Sequence, residues 1–479
     1  MKGCGSALAD GVERGEGGSA ERSSRVVLAV MMLALFVSVV NQTMVNVAVP
    51  PMREEFGSSE AAVGWVNTGY LLVFALCVPI YGRLSDVFDT RRILLVGLAV
   101  FGVGSLICAL SPSLPVLVGG RALQAAGAGT IPALAFGLVA RTIPDGSRGP
   151  ALGLLSATIG AGAAFGPVIG GFLIGVGSWH TLFYMTIALI AIALVGVAFE
   201  IPSSGGETRG TGLDLPSGIL LGASVALLLF SVTDAGNAGL FSWRVFASIG
   251  LAVVGLVAFG VRIRRVPEPF VSPKLVSNPR FIAACAAGFF GQFANVSGLF
   301  ILPLYLTGTL GRSELLVGLV LLPGALVVTL LSPLAGRLSD TVGLRPVLMA
   351  GLFVLFIGLV FMSTFGVSGS VILAAIGMSL PGFGFAATNS TASNAASESL
   401  TPDTAGVGLG IYQMCFFLGA GFAPALFGAF LTFRQTLGDL GAINPFYASD
   451  APAYSDAFLL AGIGAILALI AASTLSAKK

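Results

Sequence analysis

The sequence predicts an all-α membrane protein whose chain crosses a lipid bilayer fourteen times. Three observations lead to this fold class. Hydrophobic residues make up 56% of the 479 residues and charged residues only 10%, whereas a soluble domain is about 25% charged. The apolar residues are gathered in long runs, which give a mean hydropathy of +0.96. The basic residues alternate between the two ends of those runs.

The apolar runs have the length of membrane-spanning helices, because about 20 residues at 1.5 Å each cross the hydrocarbon. The 66 glycines suit such spans, since small residues let helices approach closely in lipid. The ten-residue alternating segments of a membrane β-barrel are absent. We expect spans at 26–49, 61–81, 93–111, 114–140, 150–176, 181–201, 216–233, 244–261, 281–307, 315–336, 346–365, 369–396, 405–431 and 456–475.

The basic residues predict the orientation. With the N-terminus inside, nineteen of the 24 lysines and arginines fall in cytoplasmic segments, four fall outside and one, Arg121, lies within a span. Cytoplasmic loops carry such an excess of positive charge. We therefore expect a multi-pass protein of the cell membrane with both termini in the cytoplasm. Because these bases orient loops and form no patch, nucleic-acid binding is not expected.

The pentapeptide Gly-Arg-Leu-Ser-Asp occurs twice, at 82–86 and 336–340, in predicted cytoplasmic loops that lie eight spans apart. Weak internal symmetry between two bundles is a signature of secondary transporters. The spacing predicts a disordered cytoplasmic tail at 1–25, a six-helix bundle at 26–201, a central two-helix insertion at 202–280 and a second six-helix bundle at 281–479.

Several motifs in order resemble the major facilitator superfamily. Residues 82–92 resemble its loop 2–3 signature, although Asp89 stands where the second glycine usually is. Residues 121–127 (RALQAAG) resemble its span 4 motif, and residues 153–171 resemble the antiporter motif of span 5. Fourteen spans are typical of the drug:proton antiporter branch, and the chain looks most similar to Gram-positive tetracycline exporters. The resemblance implies two pseudo-symmetric bundles that rock about a central cavity.

The repeated motif predicts a gate on the cytoplasmic side. Its glycines allow close helix approach, and Asp86 can accept hydrogen bonds from a helix N-terminus across the bundle interface and pair with Arg83, Arg91 or Arg92. A purely topological role explains the arginines but not the aspartates, which contribute little to orientation. The predicted gate residues are Gly82, Arg83, Asp86, Arg91, Arg92, Gly336, Asp340 and Arg345.

In span 5, periodic glycines that include Gly153 and Gly160 predict a helix face without side chains, and a proline permits a bend. Ordinary close packing would explain the same pattern, whereas the family resemblance implies an antiporter motif. Its predicted residues are Gly162, Gly166, Pro167, Gly170 and Gly171.

Arg121 is the one charged residue that lies well inside a predicted span. Gln124, three residues later, lies on the same helix face. An arginine there costs about 2.5–3.5 kcal/mol on insertion scales, so it normally faces the bundle interior and has a function. The resemblance implies a role in proton coupling or in binding substrate charge. The alternative is an arginine that reaches the outer membrane surface.

None of the 22 acidic residues falls at a span midplane. Exporters of this branch carry an acid where this chain has Asn41 or Gln42, and tetracycline exporters carry acids where it has Ala163 and Gly419, so proton coupling stays open. Neutral polar residues remain as candidates for a cavity that suits an uncharged or zwitterionic amphipathic ligand. They are Asn41, Gln42, Asn46, Asn67, Tyr70, Gln292, Asn295, Asn389, Asn394, Tyr412 and Gln413.

The sequence thus predicts a secondary transporter that exports amphipathic drug-like, neutral or zwitterionic compounds by alternating access. It does not predict an enzyme. No GxxxxGK[ST] loop is present, so ATP is not expected. We expect no cofactor and no metal, a proton or other ion gradient as a possible energy source, a small-molecule substrate and a monomer in the bilayer. The alternatives are a facilitator or uptake carrier for a neutral or anionic metabolite or lipid, and a non-transporting membrane scaffold or sensor.

Overall fold

The computed structural model describes residues 4–143, 145–201, 203, 214–238, 242–401, 404–436, 441–447 and 451–475. In this part of the chain fourteen helices are long and apolar enough to cross a membrane, which confirms the predicted spans. The helices are α1 Cys4–Phe56, α2 Glu60–Val87, α3 Thr90–Ala109, α4 Leu114–Ala128, α5 Thr130–Thr142, α6 Asp145–Val176, α7 His180–Glu200, α8 Leu215–Ala238, α9 Trp243–Arg262, α10 Pro273–Val276, α11 Pro279–Leu304, α12 Glu314–Val342, α13 Leu344–Phe361, α14 Val371–Glu398, α15 Ala405–Thr436 and α16 Pro452–Ser473.

Three of the spans are irregular. The fourth is built from α4 and α5, which meet at Gly129. The ninth and eleventh end in π-helical turns, Tyr305–Thr309 after α11 and Met362–Gly366 after α13.

The first helix is longer than the sequence predicts. A disordered tail was expected over 1–25, whereas α1 begins at Cys4 and residues 4–25 continue the helix of the first span. Extending an existing helix costs far less than starting one, which favours continuing the first span through this segment although its glycines have low helix propensity. Residues 1–3 of the predicted tail lie outside the described residues.

The helix contacts repeat between α1–α7, which we call the first group, and α11–α16, the second group. In the first group α1 packs against α6 and α3 against α7; in the second, α11 packs against α15 and α13 against α16. These pairs correspond when the chain is shifted by eight spans. Between the groups, α2 packs against α15 and α6 packs against α12. The shift of eight spans relates α2 to α12 and α6 to α15, so these two contacts are also equivalent.

The central pair, α8 and α9, packs together, and α8 contacts α2 and α15. The Asp214 carboxyl lies at the start of α8, where it accepts hydrogen bonds from the Ser217 hydroxyl and from Nε of Arg262 at 3.1 Å. Burial alone would raise the pKa of this carboxyl, but the hydrogen bonds from Ser217 and Arg262 outweigh burial and hold that pKa below its usual value.

The two copies of the repeated pentapeptide lie in the last turns of α2 and α12, not in the loops that the sequence predicts. The chain then turns differently in each copy. Gly343 follows α12 with φ +105°, a conformation that favours glycine. At the matching position Asp89 has φ −59° and its carboxylate accepts from Arg91 N at 3.1 Å, so it caps α3. An N-cap therefore replaces the usual glycine turn.

Candidate functional site

Asp86 joins the two groups at the end of the molecule that carries both pentapeptides, which we call the basic end. Its carboxylate accepts hydrogen bonds from Gly406 N and Val407 N, each at 2.8 Å. Both N–H groups belong to the first turn of α15, where they have no partner within the helix and the helix dipole favours a negative charge. The same carboxylate pairs with the Arg141 guanidinium at the end of α5.

Asp340 occupies the corresponding place at the end of α12. Its Oδ1 accepts from Asn394 Nδ2 of α14 at 3.1 Å. Across the group boundary, a Cβ built on Gly149 of α6 would lie 2.6 Å from Oδ2 of Asp340. The sequence places Asn394 in the cavity, whereas the structure places it at the basic end as a donor to Asp340.

The glycine of each pentapeptide touches backbone of the opposite group. A Cβ on Gly82 would lie 2.6 Å from Gly406 O and 3.1 Å from Gly410 Cα, and a Cβ on Gly336 would lie 2.6 Å from the carbonyl carbon of Gly149. Backbone atoms cannot move aside as side chains can, so both positions require glycine while the basic end is closed.

Among the arginines of the predicted gate, Arg83 attracts the Asp86 carboxylate electrostatically, but the direct ion pair of that carboxylate is with Arg141. Arg91 donates to Ala198 O of α7, and the exposed Arg92 lies 3.9 Å from Asp89. Arg83 keeps a buried Nε without a hydrogen-bond partner, and Arg345 is the second residue of α13. Sequence reasoning missed Arg141, whose one signal is its place among the bases predicted to face the cytoplasm.

The glycines of α6 form two faces, whereas the sequence predicts one. A Cβ on Gly153 would lie 2.6 Å from Ser332 O of the second group. Gly162, Gly166 and Gly170 instead contact α1, and Thr43 of that helix donates to Gly162 O at 3.1 Å. Pro167 and Gly171 are exposed, and nothing lies within 4 Å of a Cβ on Gly171.

Arg121 is fully buried inside the first group. Its Nη1 donates to Asn41 Oδ1 at 2.9 Å and to Gln124 Oε1, and its Nε donates to Val66 O at 3.3 Å. Each acceptor is neutral. The guanidinium carbon lies 4.0 Å from the centroid of the Tyr70 ring, within the range of a cation–π contact.

Further neutral donors and acceptors complete this network. Asn41 Nδ2 donates to Thr186 Oγ1 at 3.1 Å, and Gln124 Nε2 donates to Ser105 Oγ at 2.7 Å. The network thus holds Arg121 in the bundle interior, away from the outer surface that the alternative interpretation required.

Three buried amide side chains of the second group keep polar atoms without partners: Gln292 Oε1, Asn389 Nδ2 and Gln413 Oε1. The helices that carry them meet at this level. The Ser393 hydroxyl donates to the Tyr412 hydroxyl at 3.4 Å, and the rings of Phe385 and Phe416, one turn from Asn389 and Tyr412 respectively, have their centroids 6.2 Å apart. Unpartnered buried amides cost about 1–3 kcal/mol each, so a ligand that hydrogen-bonds them would recover that cost.

The remaining cavity candidates separate into different places. Asn67 Nδ2 donates to Asn46 Oδ1 at 2.8 Å, which joins α2 to the exposed face of α1. Gln42 is half-buried, and Asn295 is buried on α11. A cavity of about 380 Å³ lies between α1, α6 and α12, and none of the predicted polar residues lines it. Its walls include Met32, Phe36, Leu154, Ala157 and Thr329.

Comparison with known proteins identifies the architecture. The model of the Major Facilitator Superfamily matches residues 31–424. The lincomycin resistance protein LmrB of Bacillus subtilis is 31% identical over 70% of this chain and 70% of its own length. The riboflavin transporter RibZ of Clostridioides difficile is 27% identical over 86% of this chain and 90% of its own.

An uncharacterized transporter of the same type from Bacillus subtilis, YhcA, is 33% identical, and the match spans 61% of that protein and 68% of this chain. Among solved structures, the human organic anion transporter MFSD10 superposes with a TM-score of 0.71 at 15% identity. The superposition covers 94% of this chain and 99% of that one, and at this identity it supports the fold alone.

Proposed function

Because the chain belongs to the major facilitator superfamily, we propose that this multi-pass membrane transporter exports amphipathic small molecules by alternating access. One observation carries the proposal. Carboxylates at the ends of α2 and α12 lie against the starts of α15 and α6 in the opposite group, at one end of the molecule. Two such contacts can break together when the groups rock apart, and the interior then becomes accessible from the basic end.

The excess of arginine at the basic end supports a cytoplasmic location for that end and for both termini, in the cell membrane. In this orientation the structure corresponds to a state closed to the cytoplasm. We propose that Asp86 and Asp340 are the gate, that the unpartnered amides of the second group contribute to substrate binding, and that the transporter acts as a monomer.

The similarity to the lincomycin resistance protein favours export of an amphipathic compound. A second candidate, a facilitator or uptake carrier for a neutral or anionic metabolite or lipid, is favoured by the similarity to the riboflavin transporter, which aligns over more of the chain. The placement of the acids bears on the energy source. In the described spans the carboxylates lie at the ends, so the usual mid-membrane proton site is missing there.

Flux measurements in everted membrane vesicles test the proposal. We expect vesicles that contain the transporter to accumulate lincomycin faster than vesicles from cells with an empty vector. Faster riboflavin entry into intact cells, without lincomycin accumulation in vesicles, would support the uptake candidate. If neither compound moves faster than in the empty-vector control, the proposed substrate class is wrong.

Collapsing the pH gradient with nigericin during the same measurement tests coupling. Accumulation driven by proton exchange should fall to the equilibration level, whereas a facilitator should show the same flux with and without the gradient.

A further inference from the structure

Arg121 is a buried cation with an unused donor. It is 0% exposed, and its Nη2 has no hydrogen-bond partner, although Nη1 and Nε are occupied. Among the described residues no carboxylate forms an ion pair with it. Its hydrogen-bond partners are the side-chain oxygens of Asn41 and Gln124 and one backbone carbonyl, all of them neutral.

Neutral oxygens solvate a guanidinium but do not balance its charge. Burying an ion whose charge is uncompensated is strongly unfavourable, and this cost persists because Asn41, a neutral residue, faces Arg121. An anion that enters the site would remove the cost, because it would supply both the missing charge and an acceptor for Nη2. The binding partner expected for Arg121 is therefore negatively charged.

A series of aromatic rings leads from Arg121 to the boundary between the two groups. Tyr70, over which the guanidinium lies, has its ring centroid 5.9 Å from that of Phe74. Phe74 in turn meets Phe417 of the second group edge to face, with centroids 4.9 Å apart. Tyr70 and Phe74 are themselves buried, at 1% and 2% exposure, so an entering aromatic ring can stack on them only by taking the place of their present neighbours. The site thus places a cation at one end of a row of aromatic rings.

We propose that Arg121 binds the carboxylate of an aromatic organic acid, and that this transporter carries such anions among its amphipathic substrates. The acid group pairs with Nη2 of Arg121, and the aromatic body of the substrate packs along Tyr70 and Phe74 towards the group boundary. The part concerning transport rests on the proposed function; the binding site itself stands on the geometry around Arg121.

Thermal unfolding of the purified protein in detergent tests the site without transport. Benzoate is the probe, and benzamide is its neutral control at equal ionic strength. We expect benzoate to raise the unfolding midpoint by about 2 °C or more relative to benzamide. Arg121→Gln should abolish the difference. Asn41→Asp should raise the midpoint without ligand, because a carboxylate then pairs with Arg121, and it should also abolish the benzoate response.

Asn46→Asp is the matched control, because it adds a carboxylate to the same helix at a residue that contacts Asn67 and not Arg121. This variant should keep the benzoate response. Equal midpoints for wild type in benzoate and benzamide would overturn the site, as would an undiminished benzoate response in Asn41→Asp.

Uptake of radiolabelled benzoate into everted vesicles separates the two proposals. Thermal stabilisation without benzoate flux would leave the Arg121 site in place and remove its transport role. Lincomycin flux without benzoate stabilisation would do the reverse, so that export would stand and the anion site would be wrong.

Discussion

Replacing Asp86 by asparagine is expected to lower the initial rate of transport about tenfold or more. Asparagine has nearly the same size, but it lacks the charge that pairs with Arg141 and has one oxygen in place of the two that accept from Gly406 and Val407. Hydrogen bonds to a charged group contribute about 1.5–3 kcal/mol each. A loss of about 3 kcal/mol shifts the equilibrium between the closed and open basic end by about 100-fold.

The shift can be measured by electron paramagnetic resonance distances between spin labels on Thr142 and Thr341, which are exposed at the basic end, one in each group. The Asp86→Asn variant should show a longer mean distance than wild type. Asp89→Asn is the control, because it removes a carboxylate from the same end of the molecule at a residue that caps α3 through Arg91 N. An unchanged distance in Asp86→Asn, together with wild-type transport, would show that Asp86 does not hold the basic end closed.

The spans were predictable from sequence because hydropathy is a local property. Twenty consecutive apolar residues cross the hydrocarbon whatever they pack against, and the ends of the fourteen observed spans lie within seven residues of the predicted ones. A different argument predicted that Asp86 could accept from a helix N-terminus: an aspartate contributes little to orientation, so its place after a close-packing glycine at a span end indicates a contact across the helix interface.

The ionic partner of Asp86 was not predictable in the same way. Arg83, Arg91 and Arg92 are close to it in sequence, but Arg91 donates to Ala198 O. The carboxylate pairs instead with Arg141, which lies 55 positions away in the sequence. Which arginine reaches the carboxylate depends on how α5 is placed against α2, and that placement follows from packing across the whole first group. Proximity in sequence carries little information about it.

Helix faces were likewise only partly predictable. The glycines of α6 are periodic, but period alone does not say that Gly153 faces α12 while Gly162 faces α1. Asn394 illustrates the converse error, because a polar residue in an apolar span fits a substrate cavity and a gate equally well until its neighbour Asp340 is known. The sequence also could not indicate which buried amides lack partners, since that depends on every surrounding side chain.

Replacing Gly153 by valine should prevent the basic end from closing. A Cβ at this position would lie 2.6 Å from Ser332 O and 2.9 Å from Pro333 Cα, both of them backbone atoms of α12 in the second group. Because neither atom can rotate away, the helices must separate, and overpacking of this kind costs about 1–3 kcal/mol. We expect transport to fall about tenfold and the distance between labels on Thr142 and Thr341 to increase.

Gly171→Val is the matched control, since it adds the same side chain to the same helix at an exposed position with nothing within 4 Å. Its transport rate and label distance should equal those of wild type.

The pair of variants separates closure from folding: both add a β-branched residue to α6, so a loss common to the two would indicate a damaged helix. Normal transport in Gly153→Val would mean that α6 and α12 need not approach this closely at any stage of the cycle. A loss confined to Gly153→Val would instead tie transport to the contact between the two groups, which is the contact that alternating access must make and break.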